Sequence, residues 1–210
     1  TDPEELKEDE NIIIVKLDST KVREADNNEA SYLDGKMVKE LHDKSPQKIK
    51  VLDLSKENGV DNEAEAIIKV NEFVKSFPKG SKTKKIILTG HGTMGSVESD
   101  SMGLIKLSKL SEVLAPVKSI LPQTKVDTFF TSCLLAGNEE GRTEVRGFAS
   151  TLLPQDSKIQ VNYLNGYAGD GNLDMDIPGL KLDGTFEQNS MAKTPQKIFA
   201  LSNPVVAEPY

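Results

Sequence analysis

Lys85-Ile86-Ile87-Leu88-Thr89-Gly90-His91-Gly92 decides how this chain is read. Its run from 86 to 89 is apolar and β-branched, as in a strand buried on both faces, and it passes directly into a histidine between two glycines. Glycine on either side lets the backbone turn sharply there and approach a substrate closely. On the N-terminal side, Ile12-Ile13-Ile14-Val15 makes a similar strand, and Ile49, Val51, Leu52 and Leu54 make another. Between those two, Tyr32, Leu33, Met37, Val38 and Leu41 recur at helical spacing. Ala64, Ile67, Val70, Phe73, Val74 and Phe77 lay an apolar stripe along a second helix, with Asn62 and Glu65 at capping-box spacing and Pro78-Lys79-Gly80 as its stop. On the C-terminal side a loop is expected after Gly92, then a helical stripe from Leu107 to Leu121 that Pro116 kinks or splits. Val126 to Thr131 is a strand ending at Ser132-Cys133; Val145, Phe148, Ala149 and Leu152 mark a helix, and Ile159, Val161 and Tyr163 a further strand. Strands alternating with helices predict an α/β fold with a mainly parallel sheet of about five to six strands. From Gly166 onward the chain is rich in Gly, Asp and Asn and is expected to form a C-terminal hairpin and loop region.

The 210 residues are 37% hydrophobic and 28% charged, as in a globular domain. Residues 1–10, six of them acidic, read as a tail or linker, and 11–210 as a single domain. No uncharged apolar run is long enough for a membrane span, and the first residues lack the basic and apolar regions of a signal peptide. Lys and Arg total 26 against 33 Asp and Glu, a net charge of −7 that argues against a nucleic-acid partner. A single cysteine excludes an internal disulfide. Cys133 is therefore either a small buried apolar residue or a nucleophile.

In open α/β sheets the functional crevice lies at the carboxyl ends of the strands. His91 and Cys133 both fall there, each just past its own strand. If those strands are neighbours, imidazole and thiol come within reach, and a thiol needs such a partner to be nucleophilic at neutral pH. The Gly92 and Cys133 amides are candidate donors to a developing oxyanion. His42, at the end of the first expected helix, reads as a residue suited to a helix C-terminus rather than a catalytic one.

These two motifs, Ile86-Ile87-Leu88-Thr89-Gly90-His91-Gly92 and Phe129-Phe130-Thr131-Ser132-Cys133, resemble the caspase-like cysteine peptidases. An apolar strand ends in His-Gly, and 42 residues after the histidine a later strand ends in a small residue followed by Cys. The order, histidine before cysteine, is unlike papain-like enzymes. The chain looks most similar to the self-cleaving cysteine protease domains of large bacterial toxins, with Arg146-Gly147-Phe148-Ala149 and 158–165 in the helix and strand after the cysteine. The caspase pentapeptide is replaced by Ser132-Cys133-Leu134-Leu135-Ala136. The resemblance implies a caspase-like three-layer α/β/α fold and a cysteine endopeptidase acting on a protein or peptide. Cys133 would be its nucleophile and His91 its general acid–base, forming a thioester acyl-enzyme. It also implies self-processing or a secreted bacterial effector acting in a host cell; a cytoplasmic setting is the other expectation. The alternatives are a thiol-dependent deamidase, transpeptidase or deubiquitinase-like enzyme, and an inactive caspase-like interaction module.

In this family the pocket for the residue before the cut is lined by the strand after the Cys strand and its following loop. Tyr163, Asn165 and Asp170 are accordingly the candidate substrate-binding residues. No Arg or Lys lies between Lys158 and Lys181. Cleavage after Asp is thus disfavoured, since only a cation offsets desolvation of the substrate carboxylate. An apolar residue, or failing that a basic one, is expected before the cut. No metal site is expected: 170–176 has oxygen ligands at alternate positions but lacks the glycine and bidentate glutamate of an EF-hand loop. The resemblance also implies an activator, either calcium bound elsewhere or inositol hexakisphosphate. For the latter, Lys79, Lys82, Lys84 and Lys85 form a basic cluster, and net charge −7 requires such lysines to gather on one face.

Overall fold

The computed structural model describes Lys7, Ser132, Leu135 and residues 9–19, 42–43, 46–130, 138–155, 157–162 and 196–200. Its main sheet has six strands: β1 (Glu10–Lys16), β2 (Ile49–Asp53), β3 (Lys82–Thr89), β7 (Asp127–Phe130), β8 (Lys158–Asn162) and β9 (Gln196–Ala200). They stand in the order β2-β1-β3-β7-β8-β9, the first five mutually parallel and β9 antiparallel to β8. A second, three-stranded antiparallel sheet is made by β4 (His91–Thr93), β5 (Ser96–Ser99) and β6 (Gly103–Lys106). The helices are α1 (Glu63–Ser76), α2 (Leu107–Val113) and α3 (Glu139–Leu152), with 3-10 turns at Lys56–Asn58 and Ala115–Ile120.

Both faces of the sheet are apolar, which is why its strands read as continuous hydrophobic runs rather than alternating ones. Ile13, Val15, Leu52, Ile86, Leu88, Phe130 and Ile159 share one face and one core with Ala66 and Val70 of α1, the apolar side of α2, and Val145, Phe148 and Leu152 of α3. Phe130 meets Phe148 edge to face, ring centroids 5.1 Å apart. The residues between them in sequence, Ile12, Ile14, Ile87 and Phe129, alternate to the opposite face and are buried too. The expected α/β architecture with a mainly parallel sheet is what the structure shows.

Local chemistry accounts for the element ends. Asn62 caps α1, its Oδ1 accepting the Glu65 amide at 2.9 Å. The reciprocal half of the expected capping box is displaced by one residue, because Glu65 Oε2 takes the amide of Asp61 instead. Pro116 splits the stripe from Leu107 to Leu121 into α2 and a 3-10 turn, since proline cannot donate the next helical hydrogen bond. Two readings shift. β1 begins inside the stretch read as a tail: Glu10 is buried and its neighbour Asp9 pairs with Lys82 at 3.0 Å. The expected loop after Gly92 is the β4–β5–β6 meander, anchored to the core by the cross-strand pair Val97 and Ile105. The expected helix over 32–41 and the C-terminal hairpin region from Gly166 fall outside the described residues, save for helical His42 and Asp43 and strand β9.

Candidate active site

Three adjacent strands carry the candidate chemistry to one edge of the sheet. β3 is flanked by β1 on one side and by β7 on the other. Leu88 is in register with Phe130, and His91 and Cys133 each follow that pair by three residues. Neighbouring strands run about 4.8 Å apart, so the chain leading to the cysteine leaves the sheet beside the one leading to the histidine. Cys133 itself lies outside the described residues, as do Tyr163, Asn165, Asp170 and the loop 170–176.

On the other flank, Lys16 is in register with Thr89, and Asp18 and His91 each follow that pair by two residues. Asp18 is only 4% exposed, and its Oδ1 accepts the amide of Asp100 at 3.1 Å. The strand order therefore lines up Asp18, His91 and the approach to Cys133. A buried carboxylate there can accept a hydrogen bond from an imidazole and so orient it. Sequence reasoning left Asp18 out, because a lone acid after a strand is unremarkable until β1 is known to pair with β3.

His91 opens β4, half-buried, and stands across from exposed Glu98 in the antiparallel pair. The glycine before it is required: Gly90 has φ 155, and a Cβ there would lie 3.1 Å from the Glu98 carbonyl oxygen and 3.5 Å from Leu17 Cβ. Gly92 opposes Val97, one step in from the two-residue turn Met94-Gly95. In such hairpins this is the widely spaced pair, whose amides point away from the partner strand. β4 is an edge strand of its sheet, so the Gly92 amide is turned to the open side, as an oxyanion donor must be. His42 is helical and its side chain is about half exposed, with Nδ1 3.7 Å from its neighbour Asp43.

The turn of the β4–β5 hairpin is tied to the chain just past Cys133. The Gly95 amide donates to the Leu135 carbonyl at 2.9 Å, and Gly95 has φ 77. A Cβ on Gly95 would lie 2.9 Å from Glu144 Cγ on α3. A Cβ on Gly141 would overlap the same Leu135 carbonyl oxygen. Asn138 caps α3 by accepting the Gly141 amide at 2.7 Å. Two glycines thus let hairpin, cysteine loop and helix N-terminus close on one carbonyl. Between strand and cysteine, Ser132 is 1% exposed and its hydroxyl has no hydrogen-bond partner.

At the opposite, N-terminal edge of β3 and β7 lies a polar pocket of about 640 Å³. Lys82, Lys84, Lys85 and Lys125 line it, with Glu10 and Asp127 between them. The expected basic cluster is therefore gathered at one place, although Lys79 is not among the lining residues. Lys84 pairs with Glu10 at 3.6 Å. The hydrogen bond from Lys82 holds the Asp9 carboxyl below its usual range, and the same bond raises Lys82. Among the described residues no cluster of His, Cys, Asp or Glu is arranged to hold a metal ion, and no helix is long and apolar enough to cross a membrane.

No protein-family model matches the sequence, and no curated protein matches it either.

Proposed function

We propose that this chain is a cysteine endopeptidase with Cys133 as nucleophile and His91 as general acid–base. The single observation that carries the reading is the strand order β1-β3-β7, which brings the strand end before His91 between those before Asp18 and Cys133. The thiol proton of Cys133 passes to His91 as Sγ attacks the peptide carbonyl carbon, and the charge that develops on oxygen is met by the Gly92 and Cys133 amides. The C–N bond then breaks as His91 gives its proton to the leaving amine, leaving a thioester. Water attacks the thioester carbonyl while His91 accepts its proton; the C–S bond breaks, His91 returns that proton to the departing sulfur, and acid product and thiol are released. Asp18 acts through His91 as a positioning carboxylate, and its burial holds it in one orientation where solvated Glu98 is free to move.

The caspase-like three-layer layout belongs to the same proposal. It is supported by the helices packed on one sheet face and by the burial of Ile12, Ile14, Ile87 and Phe129 on the other. The resemblance to toxin domains makes the chain a self-processing domain or an effector acting in a host cell. Inositol hexakisphosphate is its proposed activator: four lysines around one pocket supply the local positive charge that a net charge of −7 otherwise denies. The substrate carries an apolar residue before the cut.

Incubation with a peptide library, with products resolved by mass, tests the reading. Hydrolysis adds one water per cut and exposes an apolar residue at the new C-terminus. Transfer of an amine in place of water would make the enzyme a transpeptidase. An unaltered library, with and without inositol hexakisphosphate, would overturn the peptidase reading.

A further inference from the structure

The other turn of the meander, between β5 and β6, is strapped to the ends of β1 and β2. Asp100 Oδ2 accepts the Ser19 amide at 2.9 Å and its Oδ1 accepts the Lys56 amide at 3.1 Å. The Asp100 amide in return donates to Asp18 Oδ1 at 3.1 Å. Next to it, the Ser101 hydroxyl donates to the Leu54 carbonyl at 2.7 Å, and Ser99 Oγ accepts the Ser101 and Met102 amides. Two carboxylates thus sit side by side, tolerated because backbone amides point at both.

We propose that Asp100 is a positioning residue that fixes Asp18 beside His91, so that the meander carrying His91 also holds the acid that orients it. This rests on the peptidase reading above. Asp18 lies two residues past the end of β1, beyond the ladder that would hold its backbone in place. Across that gap the chain is tied to the meander by the reciprocal bonds Ser19 to Asp100 and Asp100 to Asp18. Without the Asp100 carboxylate, the Ser19 and Lys56 amides lose their acceptors, and the backbone on either side of the Asp100 amide to Asp18 bond loses two of its ties. A displacement of even an ångström at a catalytic histidine's partner is costly.

The test is a double-mutant cycle on peptide hydrolysis with Asp100→Ala, Asp18→Ala and the pair, together with the imidazole NMR signals of the two histidines. Asp100→Ala is expected to lower kcat ~10- to 100-fold while leaving KM within ~2-fold. In the Asp18→Ala background the same change should cost less than ~2-fold, because the residue through which it acts is already gone. Asp100→Asn, which keeps one carbonyl acceptor, should recover part of the rate; it also carries the cycle should Asp100→Ala not fold. His91 signals should move in Asp100→Ala while those of His42 stay. Additive losses, or unmoved His91 signals, would overturn the inference. A wild-type protein that cleaves nothing would overturn the peptidase reading alone, since the NMR comparison still decides whether Asp100 governs the surroundings of His91.

Discussion

The glycines of α3 offer two identical substitutions with opposite expected signs. Gly→Ala within a helix gains about 0.5–1 kcal/mol from backbone entropy and helix propensity. At Gly147 a Cβ would meet nothing within 4 Å, so Gly147→Ala should gain that amount in full. At Gly141 the Cβ would overlap the Leu135 carbonyl oxygen and lie 3.2 Å from Asn138 Oδ1. Relieving that overlap displaces backbone at a cost of about 1–3 kcal/mol. It also strains the Gly95 to Leu135 hydrogen bond and the Asn138 cap, each worth about 1 kcal/mol. The net expectation for Gly141→Ala is a loss of about 2–4 kcal/mol. In a chain of this length that lowers Tm by about 5–15 °C, while Gly147→Ala raises it by about 1–4 °C. Circular-dichroism melts of both variants against wild type give the answer. A neutral or stabilising Gly141→Ala would refute the packing of the cysteine loop against the start of α3, and with it the closure of three elements on one carbonyl.

Among other outcomes, His91→Ala should cost several orders of magnitude in peptide cleavage and His42→Ala almost nothing, measured as kcat/KM on one peptide. A large loss in His42→Ala would show that the wrong histidine carries the chemistry. Thr128→Val should stabilise by about 1 kcal/mol in urea denaturation, because the Thr128 hydroxyl is buried without a hydrogen-bond partner and valine keeps its shape. A destabilised variant would reveal a bond that hydroxyl makes. Inositol hexakisphosphate at about 100 times its Kd should raise Tm by about 5–10 °C, and Lys84→Ala with Lys85→Ala should abolish the shift. A change below a degree in the wild type would remove the activator.

The parts of this molecule that are local in sequence were legible there. Ile12-Ile13-Ile14-Val15, the run 86–89 and Val126 to Phe130 are long enough and apolar enough to declare buried strands, and Asn62 with Glu65 announces a helix start. The meander was not legible. Ser96-Val97-Glu98-Ser99 offers one apolar residue between polar ones, and its strand character comes from pairing with neighbours on either side rather than from composition. For the site, His91 and Cys133 stood out because each ends an apolar run. Asp18, Asp100 and the Leu135 carbonyl did not, since their significance lies in contacts with residues far off in the chain, 81 or 82 positions away for the bonds joining Ser19 and Asp18 to Asp100. Gly141 reads as an ordinary helix weakness until the carbonyl facing it is known.

The central claim is that Cys133 is a nucleophile served by His91. Treating the protein with a peptidyl electrophile bearing an apolar residue at the reactive end, then measuring intact mass and mapping the adduct, tests it most directly. One adduct per chain is expected, on Cys133, formed far more slowly in His91→Ala and absent in Cys133→Ala, whose fold should be unchanged. An adduct elsewhere, or labelling of Cys133 at the same rate without His91, would contradict it.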